Sequence, residues 1–258
     1  MDAPEDLLWA RGLHYEHEGS PALLDVSVGV REGEVLAVTG ARGCGKSTLL
    51  DCLSGRLVPG RGEVWFDGVP LHTLPAAARE RLRRRRFGWV GGEPRLLPEL
   101  TAWENAALPL LLAGRGRRAA RRAAYEWLDR LDVGGCARSL PGALPQSQRQ
   151  RVAVARALAH SPAVVFADEP TAPLHRADRA QVLRALTAAA RTHRIAVVLA
   201  GDEQTARVAD RRIALVDGRR VDDGAPAGEP AGAPAGAFGG PASGAAGPEG
   251  RTACSLSV

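Results

Sequence analysis

Lysine is nearly missing from this sequence: the 34 Lys+Arg residues include a single lysine, at position 46. Cysteine is scarce too. The four present (Cys44, Cys52, Cys136 and Cys254) show no CxxC spacing and no pairing with histidine. That argues against a zinc site and against a disulfide scaffold, and it fits a reducing compartment. No apolar run approaches the roughly 18–20 residues that a membrane span needs. The opening stretch, MDAPEDLLWARG, is acidic and lacks the basic-then-apolar order of a signal peptide. The expectation is a soluble, cytoplasmic chain whose membrane role, if it has one, runs through a partner.

What is present is 258 residues, 45% hydrophobic and 24% charged, with a net charge of +5. That length suits one large domain or two small ones, and the apolar fraction excludes wholesale disorder. Abundant Arg, Ala, Gly and Pro fit a GC-rich genome in which arginine codons displace lysine codons. The surviving Lys46 is then either a remnant of chance or a position that needs an ammonium.

Strands and helices alternate along the chain. Short apolar runs at Val35–Thr39, Ala163–Ala167 and Ile195–Ala200 read as buried strands. Helices are expected at Lys46–Leu53 and Asp178–Thr192. This alternation predicts a parallel α/β sheet. The first 30 or so residues and Gly62–Val69 read as antiparallel strands, and residues 101–132 as helical. Residues 224–258 differ: Ala, Gly and Pro make up 24 of the 35. Such a segment buries too little apolar surface to offset its ordering entropy, so a disordered tail is expected after a domain spanning 1–223.

Two motifs carry chemistry. Gly40-Ala41-Arg42-Gly43-Cys44-Gly45-Lys46-Ser47 fits G-x-x-x-x-G-K-[ST] and sits between a strand and a helix. Glycines let the backbone curl so that successive N–H groups point at phosphate oxygens, and the helix N-terminus adds a favourable dipole. Lys46 would reach the β- and γ-phosphates and Ser47 would ligate Mg²⁺. The nucleotide site is expected to extend from Gly40 to Thr48. Cys44 lies within the loop, either as an oxidation-sensitive thiol or as a small packed one. The second motif is Ala163–Ala167 followed by Asp168-Glu169. A buried strand ending in two carboxylates places them at the ligand-binding edge of a parallel sheet. Asp168 is expected to hold Mg²⁺ through water, and Glu169 to polarise an attacking water. Lys46 and Glu169 are thus the candidate catalytic residues; Ser47 and Asp168 are the candidate metal ligands.

With both motifs, residues 7–222 resemble the nucleotide-binding domain of ATP-binding-cassette (ABC) transporters. The stretch LLPELTAWENAALPLLLAG is most similar to the lipoprotein-release and macrolide-export branch. The resemblance implies a P-loop NTPase α/β core with a mostly parallel sheet, an antiparallel β-subdomain and an inserted helical subdomain at about 92–155. It implies ATP and Mg²⁺ as cofactors, a separate membrane permease as partner, and a homodimer or a heterodimer with another ATPase subunit. The chain would then lie peripherally on the inner face of the membrane. Tyr15 stands where the family stacks an aromatic ring on adenine; its other reading is a half-buried strand residue.

Four places depart from the family pattern. Gly92 replaces the glutamine that contacts Mg²⁺ and the attacking water in a loop facing the membrane subunit, with Glu93 adjacent. Leu144-Pro145-Gln146-Ser147-Gln148 stands for the Leu-Ser-Gly-Gly-Gln signature, which embraces the γ-phosphate across a head-to-tail dimer. Pro145 offers neither hydroxyl nor N–H, and Gln146 adds bulk where glycine permits close approach. Leu174-His175 replaces Leu-Asp. Gly201 takes the place of the histidine that contacts the γ-phosphate, and His193 lies at the wrong end of that strand. Slow hydrolysis is the expectation, since losing one preorganised transition-state donor costs ~10²–10³ in rate.

Arg79–Arg86 is the densest positive stretch. It reads either as a surface for nucleic acid or acidic lipid or as a solvated connector. Without interleaved aromatics for base stacking, no nucleic-acid partner is expected. Three functions compete at this stage. The first is an ATPase subunit coupled to a permease. The second is a degenerate cassette that binds ATP with little turnover and serves a regulatory or structural role. The third is a soluble cassette protein acting on ribosomes or DNA, which would ordinarily carry two cassettes or a long coiled-coil insertion.

Overall fold

A computed structural model describes residues 6–221. The expected tail at 224–258 lies outside the described residues.

The apolar runs with no polar alternation form the middle of a six-stranded sheet. Its strands are β3 (Val35–Thr39), β6 (Phe87–Val90), β7 (Val164–Asp168), β8 (Ala196–Ala200), β9 (Arg211–Val216) and β10 (Arg219–Val221). They are ordered β10-β9-β3-β8-β7-β6. All neighbours are parallel except β10, which returns antiparallel beside β9. Successive side chains of a strand point to opposite faces, so an unbroken apolar run means both faces are covered. Val165 and Ala167 of β7 join one core cluster, while Val164 and Phe166 join the other.

The first cluster is roofed by α3 (Ala102–Leu112), α4 (Arg117–Arg130), α5 (Gln146–Leu158) and α6 (Arg176–His193). The second holds α1 (Lys46–Leu53) against an antiparallel sheet ordered β2-β1-β4-β5. That sheet comprises β1 (Leu8–His17), β2 (Ser20–Val30), β4 (Arg61–Phe66) and β5 (Val69–Pro70). Trp9 and Trp65 face each other across β1 and β4 and stack at 5.4 Å. The α/β class, the parallel sheet and the antiparallel sheet all agree with expectation.

One reading holds and gains detail, and one needs correction. The helical stretch at 101–132 is two helices, because Gly114 at φ +78° turns the chain between α3 and α4. Buried Asn105 fixes the entry to α3. Its Oδ1 accepts the Leu97 N–H at 2.8 Å and its Nδ2 donates to the Leu100 carbonyl at 2.8 Å. The arginine run is not a connector but the end of a helix, α2 (Ala76–Arg86), with no buried residue. Arg79 and Arg83 donate to the Gly55 carbonyl just past the end of α1, at 3.1 and 2.8 Å. Cations at a helix C-terminus are favourable there.

Candidate functional site

Strand register builds the site. Val38 pairs with Ala200, Ala200 with Asp168, and Ala167 with Val90. The C-terminal ends of β3, β8, β7 and β6 therefore stand in one row. They deliver Gly40, Gly201, Asp168-Glu169 and Gly92 to the same edge of the sheet.

The phosphate loop leaves β3 and enters α1 through conformations that a side chain would block. Gly40 has φ +142°, and a Cβ there would meet the Leu215 carbonyl at 2.3 Å and Cys44 Sγ at 2.5 Å. Gly45 has φ +104°, and its Cβ would meet the Ala22 carbonyl at 2.4 Å. Backbone cannot yield at such distances, so both positions demand glycine. Cys44 is the packed thiol of the two alternatives, 6% exposed and part of the core. Lys46 is also 6% exposed, and its ammonium donates to the Gly40 and Ala41 carbonyls at 2.9 Å each. Glu169 Oε1 lies 3.9 Å from the same Nζ.

A cleft of about 480 Å³ is lined by Lys46, Ser47, Thr48, Gly92, Asp168 and Glu169, among others. It brings together the lysine, the candidate metal ligands and the candidate water-polarising group. Asp168 Oδ1 is buried in this protein without a hydrogen-bond partner. A carboxylate oxygen in that condition is costly unless a cation or a bound water satisfies it, so the donor set Ser47 and Asp168 fits a hard cation such as Mg²⁺. Glu169 adopts φ +47°, uncommon for a side chain that large. Its N–H donates to the Ala200 carbonyl at 2.9 Å and its carbonyl accepts from Ala172 at 3.1 Å. Strain held in place at a sheet edge is a mark of functional positions.

The other expected residues are placed as follows. Tyr15 is half-buried on β1 and packs against the core, with His17 edge-on to its ring at 4.9 Å. His17 lines the cleft and its Nε2 lies 3.1 Å from Thr48 Oγ1; sequence reading missed it. Glu93 turns away to Arg95, at 3.8 Å and largely exposed, so it does not fill the place of the missing glutamine. His193 is held by Arg130 at 2.9 Å, far along the chain from the cleft residues. Residues 144–148 cap and begin α5 and line no part of this cleft. Two residues from that helix matter structurally. Gln150, fully buried, donates to the Gly91 carbonyl at 2.7 Å and the Pro170 carbonyl at 2.8 Å, tying α5 to the loops after β6 and β7. Arg151 pairs with Asp178 of α6 at 3.2 Å.

Around Gly201 the space is filled by Thr205, Asp202 and Arg179. Thr205 closes over the glycine, and a Cβ at 201 would meet its Oγ1 at 2.6 Å. Asp202 begins α7 (Glu203–Ala206), accepting from the Thr205 N–H and hydroxyl at 3.0 Å each, and it pairs with Arg179 of α6. Burial raises the Asp202 carboxyl, but the Thr205 bonds and the Arg179 guanidinium outweigh it and hold the group below the usual carboxylate range.

Comparison with known proteins agrees with this geometry. Residues 23–172 match the family model described as "ABC transporter". The uncharacterized ABC transporter ATP-binding protein Rv2564 of Mycobacterium tuberculosis is 41% identical over 191 residues, 74% of this chain. The match spans only 58% of that protein. The lipoprotein-releasing system ATP-binding protein LolD of Bordetella pertussis is 39% identical over 227 residues, 85% of this chain and 98% of that protein. Among solved structures, the dimeric post-hydrolysis state of the ATP-binding cassette MJ0796 bound to ADP and Pi superposes with a TM-score of 0.76 at 32% identity. It covers 83% of this chain and 96% of its own. Loop, carboxylate pair and sheet order thus agree with sequence and structural kinship, and the chain belongs to the ABC transporter family of ATP-binding proteins.

Proposed function

We propose that this chain is the ATP-binding subunit of a transporter, coupling ATP binding and hydrolysis to a separate membrane permease. The observation that carries it is the single cleft in which Lys46, Ser47, Asp168 and Glu169 meet. Lys46 exchanges its loop carbonyls for the β- and γ-phosphate oxygens. The backbone from Gly40 to Thr48 cradles the phosphates. Ser47, and Asp168 through water, would hold Mg²⁺, which would supply positive charge beside the phosphate oxygens. Glu169 orients and polarises the attacking water. Tyr15 is assigned to the base, on the same strand as the cleft-lining His17 and in ring contact with it. The ADP- and Pi-bound state of the MJ0796 dimer supports both hydrolysis and a dimer. The likeness to a lipoprotein-releasing system's ATP-binding protein supports a role as one component of a multi-protein system.

Turnover by the isolated chain is slow, because Gly92, Pro145, Gln146 and Gly201 offer none of the side chains that the family directs at water or γ-phosphate. No helix among the described residues is long and apolar enough to cross a membrane. The permease is assigned to the cleft of about 840 Å³ between α3 and the loop after β6, lined by Trp89, Gly91, Leu108 and Leu112. Leu112 is 71% exposed there. That docking places the chain on the inner face of the membrane.

Calorimetric titration with ATP–Mg²⁺ tests the reading. Wild type binds; Lys46→Ala and Lys46→Arg do not, since a planar guanidinium cannot replace a compact ammonium beneath two loop carbonyls. Equal affinity in all three proteins defeats the proposal.

A further inference from the structure

A second cavity, of about 170 Å³, adjoins the phosphate loop on the side of β8. Lys46, Glu169, Gly201, Asp202, Thr205 and Arg179 line it, along with other residues. Arg179 rises from the first turns of α6, where its N–H donates to the His175 carbonyl at 2.9 Å. One edge of its guanidinium is committed to Asp202. Its Nε is buried and has no hydrogen-bond partner. A guanidinium offers donors on two edges, so this one is half used. Arg151, by contrast, spreads its donors over the Leu131 carbonyl, Gln181 and Asp178; Arg149 Nε is also buried without a partner, but Arg149 does not line this cavity. A buried donor left without an acceptor is costly; the side chain as a whole lines the cavity, so the guanidinium's remaining donors are at hand for an anion held there.

We propose that Arg179 contacts the terminal phosphate of the bound nucleotide, supplying from α6 the positive charge for which Gly201 carries no side chain. This rests on the reading that the adjoining cleft holds ATP. Asp202 is then a positioning residue. It keeps the guanidinium at the cavity wall before nucleotide arrives, and its own carboxylate is fixed by the two Thr205 bonds. The cavity walls carry the cations Arg42, Lys46 and Arg179 against the anions Glu169 and Asp202. A phosphate with an extra negative charge is favoured there over one without. The chain should therefore distinguish a triphosphate from a diphosphate through Arg179, whereas Lys46 serves both.

The test is calorimetric titration of the full chain with Mg²⁺–ADP and with a non-hydrolysable imidotriphosphate analogue of ATP. The variants are Arg179→Gln, Arg179→Lys and Asp202→Asn. Arg179→Gln should bind ADP as wild type does and the triphosphate about tenfold more weakly or worse. Arg179→Lys should fall between. Asp202→Asn, which breaks the same ion pair but leaves the cation, should lose only part of the triphosphate preference, less than Arg179→Gln loses. An unchanged triphosphate-to-diphosphate ratio in Arg179→Gln overturns the proposal. So does an equal loss in Asp202→Asn, which would make the ion pair a structural brace. If Arg179→Gln and Arg179→Lys both fail to fold, Arg179 is structural and the proposal falls. A wild type that binds neither nucleotide refutes the cleft reading itself, a different result from any of these.

Discussion

Restoring a side chain at position 201 is the obvious repair of this cassette, and the structure forecasts its first consequence as a loss of stability. A Cβ at Gly201 would stand 2.6 Å from Thr205 Oγ1 and 2.9 Å from both its Cβ and Cγ2. Ordinary carbon contacts lie at about 3.5–4.0 Å, so the overlap is large on all three atoms. Thr205 cannot rotate away freely. Its N–H and hydroxyl both donate to Asp202 Oδ1 at 3.0 Å, and turning the side chain forfeits the hydroxyl bond, worth about 1 kcal/mol. Overpacking of this kind costs about 1–3 kcal/mol. For a domain of this size each kcal/mol moves Tm by about 2–4 °C, so Gly201→Ala should melt roughly 2–12 °C lower. Thr205→Ala alone should lose about 1 kcal/mol with its hydroxyl bond. The double variant should then be more stable than additivity predicts, by about 0.5 kcal/mol or more, because two of the three overlapping atoms are gone. Chemical denaturation of the four proteins completes the cycle. A Gly201→Ala protein as stable as wild type, or a strictly additive cycle, refutes the wedge. Gly201→His, suggested by the sequence alone, must therefore be built together with a change at 205.

Two further predictions concern groups outside the nucleotide cleft. Burial holds the His160 imidazole below its ordinary range, against the Phe87 carbonyl at 3.1 Å and the Arg156 backbone, which favour the charged form. Its proton affinity is therefore weaker folded than unfolded, so its contribution is full above about pH 6.5 and is lost as pH falls from there through the folded value. Denaturation midpoints between pH 7.5 and 5 should decline more steeply for wild type than for His160→Gln, and parallel profiles would count against this. Burial, helped by Asp51, pushes the Cys52 thiol up to about 12. Site-resolved alkylation at pH 8 should leave Cys52 unmodified until the protein unfolds; labelling as fast as a free peptide thiol would contradict its burial.

Legibility from the sequence varied with physical cause. β3 and α1 were placed to the residue because Gly40 and the Gly45-Lys46 step punctuate both ends. β7 and β8 each shifted by about one residue, since a uniform apolar run marks a strand without marking its edges. The split between α3 and α4 was missed because Ala-, Leu- and Arg-rich helix continues in composition across Gly114. α2 was missed because a helix with no buried face has no periodicity to read. In the site, the phosphate loop and the Asp168-Glu169 pair are local motifs and were visible. Arg179, His17 and Gln150 were not. Each is an ordinary polar residue on its own element and acquires meaning only when β-strand register brings distant loops together. Their one available signal was proximity in chain to a motif, as Arg179 lies 11 residues after Asp168.

The way Lys46 is held before nucleotide arrives has a kinetic consequence. An ammonium bonded to the two carbonyls of its own loop keeps the ring of residues 40–46 closed by itself. The loop thus carries its own internal partner for the lysine, and that ring does not depend on a phosphate to close it. On the proposed reading, nucleotide capture is an exchange of oxygens around one nitrogen, carbonyl for phosphoryl, with little backbone ordering to slow it. Release runs the same exchange backward: the carbonyls that were displaced are at hand to take the lysine back, so the departing nucleotide leaves behind a closed loop and not a bare charge.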